Sequence, residues 1–194
     1  MSSHELHSDD APIATSKTRD AAATERSGLV DGKGDAITGW SVTINRPVAE
    51  LYSFWRDFSN LASFMDNVVE ISAIGGDRSH WTVRAPGGAT VEWDARVTEE
   101  RENALIAWTS EDGADVPNSG RVEFRDAGAR GTVVTATILY EPPAGFIGKV
   151  IAKVFQREPA IQVRRDLRRF KQLMETGEVA TAARTSAQRE EGMA

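Results

Sequence analysis

Apolar and polar side chains alternate along residues 40–46, with Trp40, Val42 and Ile44 on one side and Ser41, Thr43 and Asn45 on the other. A period of two is that of a half-buried strand. Pro47 follows, suited to the first turn of a helix, and Val48, Leu51, Tyr52, Trp55 and Phe58 then recur at helical spacing. A second short helix is expected to carry Leu61, Phe64 and Met65, capped by Ser59 or Asn60. From Val68 the period returns to two: Val69, Ile71 and Ala73 lead into the turn Gly75-Gly76-Asp77. Trp81, Val83 and Ala85 alternate with His80, Thr82 and Arg84 as far as the turn Pro86-Gly87-Gly88. Val91, Trp93, Ala95 and Val97 alternate with Glu92, Asp94, Arg96 and Thr98, which makes this pair the clearest hairpin in the chain. Strands over 104–110, 119–125 and 132–141 bring the total to about six or seven, and their short connections imply an antiparallel meander.

The chain then turns helical. Phe146, Ile147, Val150, Ile151, Val154 and Phe155 form one apolar stripe, and Ile161, Val163, Leu167, Phe170, Leu173 and Met174 form another. Pro159 separates them and disfavours helical geometry in the preceding residue. A short helix over 144–157 and a long one over 159–176 are therefore expected, with Gly177 as the stop. The fold class is α+β: a curved antiparallel sheet, two short helices after its first strand, and a long C-terminal helix against it. Burying one large apolar side chain is worth roughly 1.5–3 kcal/mol, so the dozen on the two stripes require a covering surface. The sheet face offered to them carries Trp81, Trp93, Trp108 and Phe124 at inward positions. Rigid aromatic side chains of this kind often frame cavities. The expected ligand-binding residues are Trp81, Val83, Trp93, Ala95, Trp108, Phe124 and Tyr140 on the sheet, with Phe146, Val150, Ile151 and Phe155 on a short helix acting as a gate.

Composition adds the boundaries. All five Trp, both Tyr and all seven Phe lie in the middle of the chain. Residues 1–38 and 179–194 are poor in apolar side chains and are expected to be disordered tails flanking a domain at 39–178. The net charge of -6 argues against nucleic-acid binding. The absence of Cys removes disulfides, thiolate metal sites and cysteine nucleophiles. The first residues have neither a basic nor an apolar signal-peptide region, and no run reaches the 18 apolar residues of a membrane span. A cytoplasmic location is the expectation.

The stretches SVTINRPVAELYSFWRDFSNLASFM, HWTVRAPGGATVEWDARVTEE, IAWTS, EPPAGFIGKVIAKVF and DLRRFKQLMETGE carry a family resemblance. The chain resembles the SRPBCC (START/Bet v 1-like) superfamily over about residues 38–178, and within it the polyketide cyclase/dehydrase and lipid transport proteins related to coenzyme Q-binding proteins. The resemblance implies a helix-grip fold with a hydrophobic cavity between sheet and C-terminal helix. Ala62 stands where the family pattern suggests proline after "NL". One such scaffold hosts carriers, receptors and enzymes, so fold alone does not assign activity.

The candidate chemistry is sparse. His80 falls on the side opposite Trp81, hence outward, and Glu92 and Asp94 alternate outward too. His4, His7, Asp9 and Asp10 have chelating side chains but lie in the first tail, where ordering them is costly. There is no G-x-S-x-G, Walker A or G-x-G-x-x-G motif. Of the ionisable groups, Asp115, Arg121 and Tyr140 near strand ends are those expected to reach the pocket. Arg157, Arg164, Arg165, Arg168, Arg169 and Lys171 outnumber Glu158 and Asp166, which reads as a solvated helix face or as a peripheral membrane contact. No catalytic residue, metal or cofactor is expected. The leading function is binding or transport of a lipid, isoprenoid, quinone or polyketide-like molecule. The alternatives are a cyclase or dehydratase acting on a polyketide-like substrate, and a membrane- or partner-docking module. The oligomeric state stays open.

Overall fold

A computed structural model describes residues 36–85, 88–140 and 159–179. The elements run β1 (Ala36–Ile44), α1 (Val48–Arg56), a 3-10 turn (Phe58–Ser63), β2 (Val68–Gly75), β3 (Arg78–Arg84), β4 (Thr90–Arg101), β5 (Leu105–Ser110), β6 (Asn118–Asp126), a short 3-10 turn (Gly128–Arg130), β7 (Thr132–Tyr140) and α2 (Pro159–Thr176). The seven strands form one antiparallel sheet in the order β1-β7-β6-β5-β4-β3-β2. Strands β2 to β7 are the expected meander. β1 does not join its neighbour in sequence but closes against β7, in register from Ala36↔Tyr140 to Ile44↔Thr132.

Several boundaries differ from the pattern reading. β1 begins at Ala36, before the alternation starts, because residues 36–38 pair through backbone groups with 138–140, and such pairing needs no apolar side chain. It stops at Ile44, where the Arg46 N–H bonds back to the Ile44 carbonyl at 2.8 Å. Pro47 stands just outside α1, its carbonyl accepting from the N–H groups of Glu50 and Leu51. The second short helix is 3-10, not α, and its cap is Asp57, whose carboxylate accepts the Ser59 N–H at 3.2 Å. The long helix spans Pro159–Thr176 as expected, and Gly177 ends it at a φ of 78°. The expected helix over 144–157, the turn at 86–87 and both expected tails, apart from residues 36–38 and Val179, lie outside the described residues.

Paired residues of adjacent antiparallel strands share a face, so the register sorts the sheet. One face, which receives α1 and α2 and is concave in the helix-grip sense, carries Trp40, Val42 and Ile44 of β1 and Val134 and Ala136 of β7. It also carries Val122 and Phe124 of β6 and Ile106 of β5. These residues form one core with Leu51, Tyr52 and Trp55 of α1, Leu61 and Phe64 around the 3-10 turn, and Val163, Leu167 and Phe170 of α2. Phe170 meets Trp55 edge-on at 5.1 Å and Phe64 at 5.0 Å, so three elements converge on one aromatic knot. α2 lies along β1 and is clasped to its end by polar bonds. Lys171 donates to the Thr43 carbonyl at 2.5 Å, Glu175 accepts the Asn45 N–H at 2.7 Å, and Arg46 donates to the Glu175 carbonyl at 2.9 Å.

Candidate binding face

The core occupies the β1, β7, β6 end of the concave face. Toward β3 and β4 the same face continues with a different lining. Trp81 pairs with Trp93 across β3 and β4, Val97 with Trp108 across β4 and β5, and Trp108 with Gly120 across β5 and β6. The three tryptophans therefore share the face that the alternation assigned to them, and all three are half-buried. Trp81 and Trp93 stack with ring centres 5.9 Å apart and planes 11° from parallel, and Phe58 flanks Trp81 at 6.2 Å. Trp108 lies over Gly120, filling the volume a Cβ there would need. Val83, Ala85, Val91 and Val116 make a second buried cluster against Trp93.

Phe124 shares the face but sits inside the packed core, edge-on to Tyr52 at 5.8 Å and to Trp55 at 6.3 Å. Ala95 is buried between Ser79 and Ser110, its neighbours in the register. The Tyr140 backbone pairs with Asn118 and with Ala36. Phe146, Val150, Ile151 and Phe155 lie outside the described residues, as do His4, His7, Asp9 and Asp10.

Between the tryptophans runs a row of small and polar residues: Ser79, Ala95, Ser110 and Asn118, all buried. The Trp81 indole N–H donates to Ser79 Oγ at 2.9 Å, the Asn118 N–H to Ser110 Oγ at 3.0 Å, and the Asn118 side-chain amide to the Val116 carbonyl at 2.9 Å.

The ionisable groups fall elsewhere than expected. Asp115 is exposed and its carboxylate accepts the Glu92 N–H at 2.9 Å, fastening the loop after β5 to β4. Arg121 pairs in register with Ala107 and Thr137, which puts it on the face opposite Trp108 and Gly120. His80 does point outward, where its Nδ1 lies 2.7 Å from Asp94 in a surface network with Arg78 and Glu111.

Two acids missed by the pattern contact groups that alternation alone does not assign them. Glu100 accepts from the Tyr52 hydroxyl at 2.5 Å and from Arg56 at 2.7 Å. Strict alternation from Val97 would turn it outward, but a register shift between Val97 and Glu99 places it opposite Ile106, on the concave side. Burial, then the bond to Glu100, pushes the Tyr52 hydroxyl up to about 12, while the Tyr52 and Arg56 bonds hold Glu100 below the usual carboxylate range. Asp166 on α2 accepts from Gln162 at 2.9 Å, and burial, with a contribution from Asp66, pushes it up to about 7. Neither group belongs to a signature motif, and only the three-dimensional register exposes them.

The profile of the polyketide cyclase/dehydrase and lipid transport family matches residues 44–168. The chain belongs to this family. A crystal structure from Deinococcus radiodurans is 38% identical, covers 74% of this chain and 100% of its own, and superposes with a TM-score of 0.59. An uncharacterised 17.2 kDa protein of Streptomyces lincolnensis is 28% identical over 137 residues, 70% of this chain and 87% of that protein. A START superfamily protein of Mycobacterium smegmatis, 14% identical over 68% of this chain and 97% of its own with a TM-score of 0.50, shares the fold. The helix-grip expectation stands, and membership of a lipid transport and polyketide cyclase family supports binding of a hydrophobic ligand.

In this family member the basic run of α2 is largely committed to packing. Arg164 lies 4.8 Å over the Trp40 ring, Arg169 pairs with Asp66, and Lys171 holds β1, whereas Arg165 and Arg168 are exposed. Arg165 and Arg168 keep part of the expected solvated cationic face, while the other three side chains fasten the helix, because long cationic stems cover apolar surface while their heads find partners. Among the described residues no helix is long and apolar enough to cross a membrane.

Proposed function

We propose that the chain binds a hydrophobic small molecule on the concave face between Trp81, Trp93 and Trp108, as a carrier or sensor. The observation that carries this reading is the unequal filling of one face. Aromatic side chains at the β1, β7, β6 end are driven to near-complete burial by α1 and α2, whereas the three tryptophans of β3, β4 and β5 stay half-buried on the same surface. Half-buried indoles cost hydrophobic free energy that an apolar ligand recovers, at about 25 cal/mol per Å² covered. Val83 and Ala95 contribute to the floor, and the proposed ligand-binding set extends to Phe146, Val150, Ile151 and Phe155. The proposed binding domain runs from the start of β1 at Ala36, three residues earlier than the expected boundary at 39, to about 178.

The test is titration of the full chain with Nile red, an uncharged apolar fluorophore. Trp93→Ala and Trp108→Ala are expected to weaken binding about tenfold each, since each removes a large part of one wall. Unchanged affinity in both folded variants would refute the site.

A further inference from the structure

We infer that the Trp40 indole N–H and the Arg164 guanidinium form an oxyanion site, one that takes a carboxylate or phosphate group where β1 meets the first half of α2. The inference does not rest on the binding reading above. β1 is an edge strand, three neighbours from the β5 strand that carries Trp108, or about 14 Å at the usual strand spacing. The first ground is a pair of donors without acceptors. Trp40 is 7% exposed, and its Nε1 is buried with no hydrogen-bond partner. Arg164 Nε is buried and unpartnered as well. The Arg164 Cζ stands 4.8 Å from the centre of the Trp40 ring, so the two groups occupy one small patch. An indole nitrogen and a guanidinium both only donate, so neither satisfies the other. Buried N–H groups are almost always paired, and one left without an acceptor is costly.

The second ground is the contrast with the next cation along the same contact. Seven helix residues rise about 10.5 Å and three strand residues about 10 Å, so Lys171 stands to Thr43 as Arg164 stands to Trp40. Lys171 donates to the Thr43 carbonyl and pairs with Glu175. Arg164, about two turns earlier on the same side of the helix, meets the ring and no acid. Arg169 has Asp66 and Arg56 has Glu100. Asp166, two residues on, lies about 200° around the helix from Arg164 and accepts from Gln162. A neutral acceptor would satisfy the indole and leave the cation uncompensated, whereas an oxyanion answers both.

The third ground is position. Arg164 is the sixth residue of α2, which starts at Pro159, and helical side chains lean toward the N-terminus, the end that favours negative charge. Arg164 is half-buried, and its guanidinium is the far end of a flexible side chain. Lifting that end from the ring uncovers the indole edge. The guanidinium then closes on the acceptor with paired N–H groups, the fork that carboxylate and phosphate oxygens match.

Heteronuclear NMR of the isotope-labelled full chain tests the site, since its five tryptophans give five indole N–H signals. Sodium acetate, sodium phosphate and sodium octanoate are titrated in turn, each against sodium chloride at equal ionic strength. The Trp40 indole signal, assigned through its own backbone, is expected to shift downfield and to saturate with each of the three anions. Octanoate binding about tenfold or more tighter than acetate identifies the acidic end of an apolar ligand as the occupant, and equal affinities identify a free small anion. Shifts at Trp81, Trp93 and Trp108 that octanoate causes and acetate does not report the apolar site separately, so either reading can fail without the other. Arg164→Met keeps a stem over the ring and removes the charge. It is expected to weaken anion binding at least about tenfold with the other four indole signals in place. Absence of a saturable Trp40 shift with all three salts, or undiminished affinity in folded Arg164→Met, overturns the site.

Discussion

At Gly120 the Trp108 ring occupies the space where a side chain would begin. A Cβ there would overlap the Trp108 Cζ2 atom and stand 2.8 Å from the Thr137 carbonyl oxygen, which belongs to the neighbouring strand and cannot retreat. Gly120→Ala therefore displaces the indole or spreads β6 from β7. Overpacking of this kind typically costs about 1–3 kcal/mol. Urea denaturation of the variant is expected to show that loss together with a shift in tryptophan emission, and a loss under about 0.5 kcal/mol would mean that the ring swings aside freely. The same glycine leaves room for the Trp108 ring of the proposed site, so ligand affinity is expected to fall with stability. Tyr52 and Glu100 show the opposite device, a polar pair that pins α1 onto β4 at the point where the strand changes register.

At the scale of elements, the turn between β6 and β7 abuts the end of β1. Gly131 has a φ of 91°, and a Cβ on it would overlap the Ile44 carbonyl and come within 2.7 Å of Asn45 Cα. Both the backbone conformation and the contact require glycine. Gly131→Ala is expected to cost at least about 2 kcal/mol by chemical denaturation, whereas Gly128→Ala, in the same turn with open space around it, is expected to cost only the strain of its φ of 61°. The difference between the two variants isolates the β1 contact. How much of these elements the chain announces depends on which force specifies them. Pro159 and Gly177 bracket α2 because each acts on the backbone locally, Pro159 by fixing φ and Gly177 by adopting the positive φ of 78° that ends the helix, and the β3–β4 hairpin follows from alternation between two turns. The first residues of β1 are invisible to such reading, since the backbone pairing that extends the strand reaches a partner far along the chain. The shift after Val97 is equally silent, and it reverses the side on which Glu100 emerges. Of the candidate site, the three tryptophans were legible from parity. The buried serines beside them were not, because their hydrogen bonds to Trp81 and Asn118 follow from cross-strand register and not from alternation.

For the molecule as a whole, two acids bias stability in opposite directions with pH. Glu100 is held below its ordinary value of 4.5, so its contribution is present above that pH and lost as acid protonates it through its lower folded value. Asp166 is raised from 3.8 to about 7, so the neutral acid contributes fully below about 3.8 and that contribution is lost as pH rises through about 7. Stability is expected to be greatest in mildly acidic solution and to decline by on the order of 1–2 kcal/mol between pH 5 and pH 8, after allowance for screening of a partly exposed group. Asp166→Asn should flatten that decline in urea titrations at the two pH values. A decline of unaltered size would place its origin elsewhere. The family's sheet-and-helix frame thus carries a titrating group on the helix that covers it, next to Asp66 and Arg169.

The pairing of β1 with β7 has a consequence in time. Ser41 and Thr135, whose hydroxyls meet at 2.9 Å, are 94 residues apart in the chain. At roughly 5–20 residues per second of synthesis, β1 leaves the ribosome about 5–20 s before its partner exists. Through that interval Trp40, Val42 and Ile44 have no sheet to enter, and α2, which rests on them, comes later still. A nascent chain arrested before residue 132 is expected to expose β1 to protease, and one arrested after full emergence of α2 to protect it. The last-made third of the protein is thus what gives the first-made strand its place.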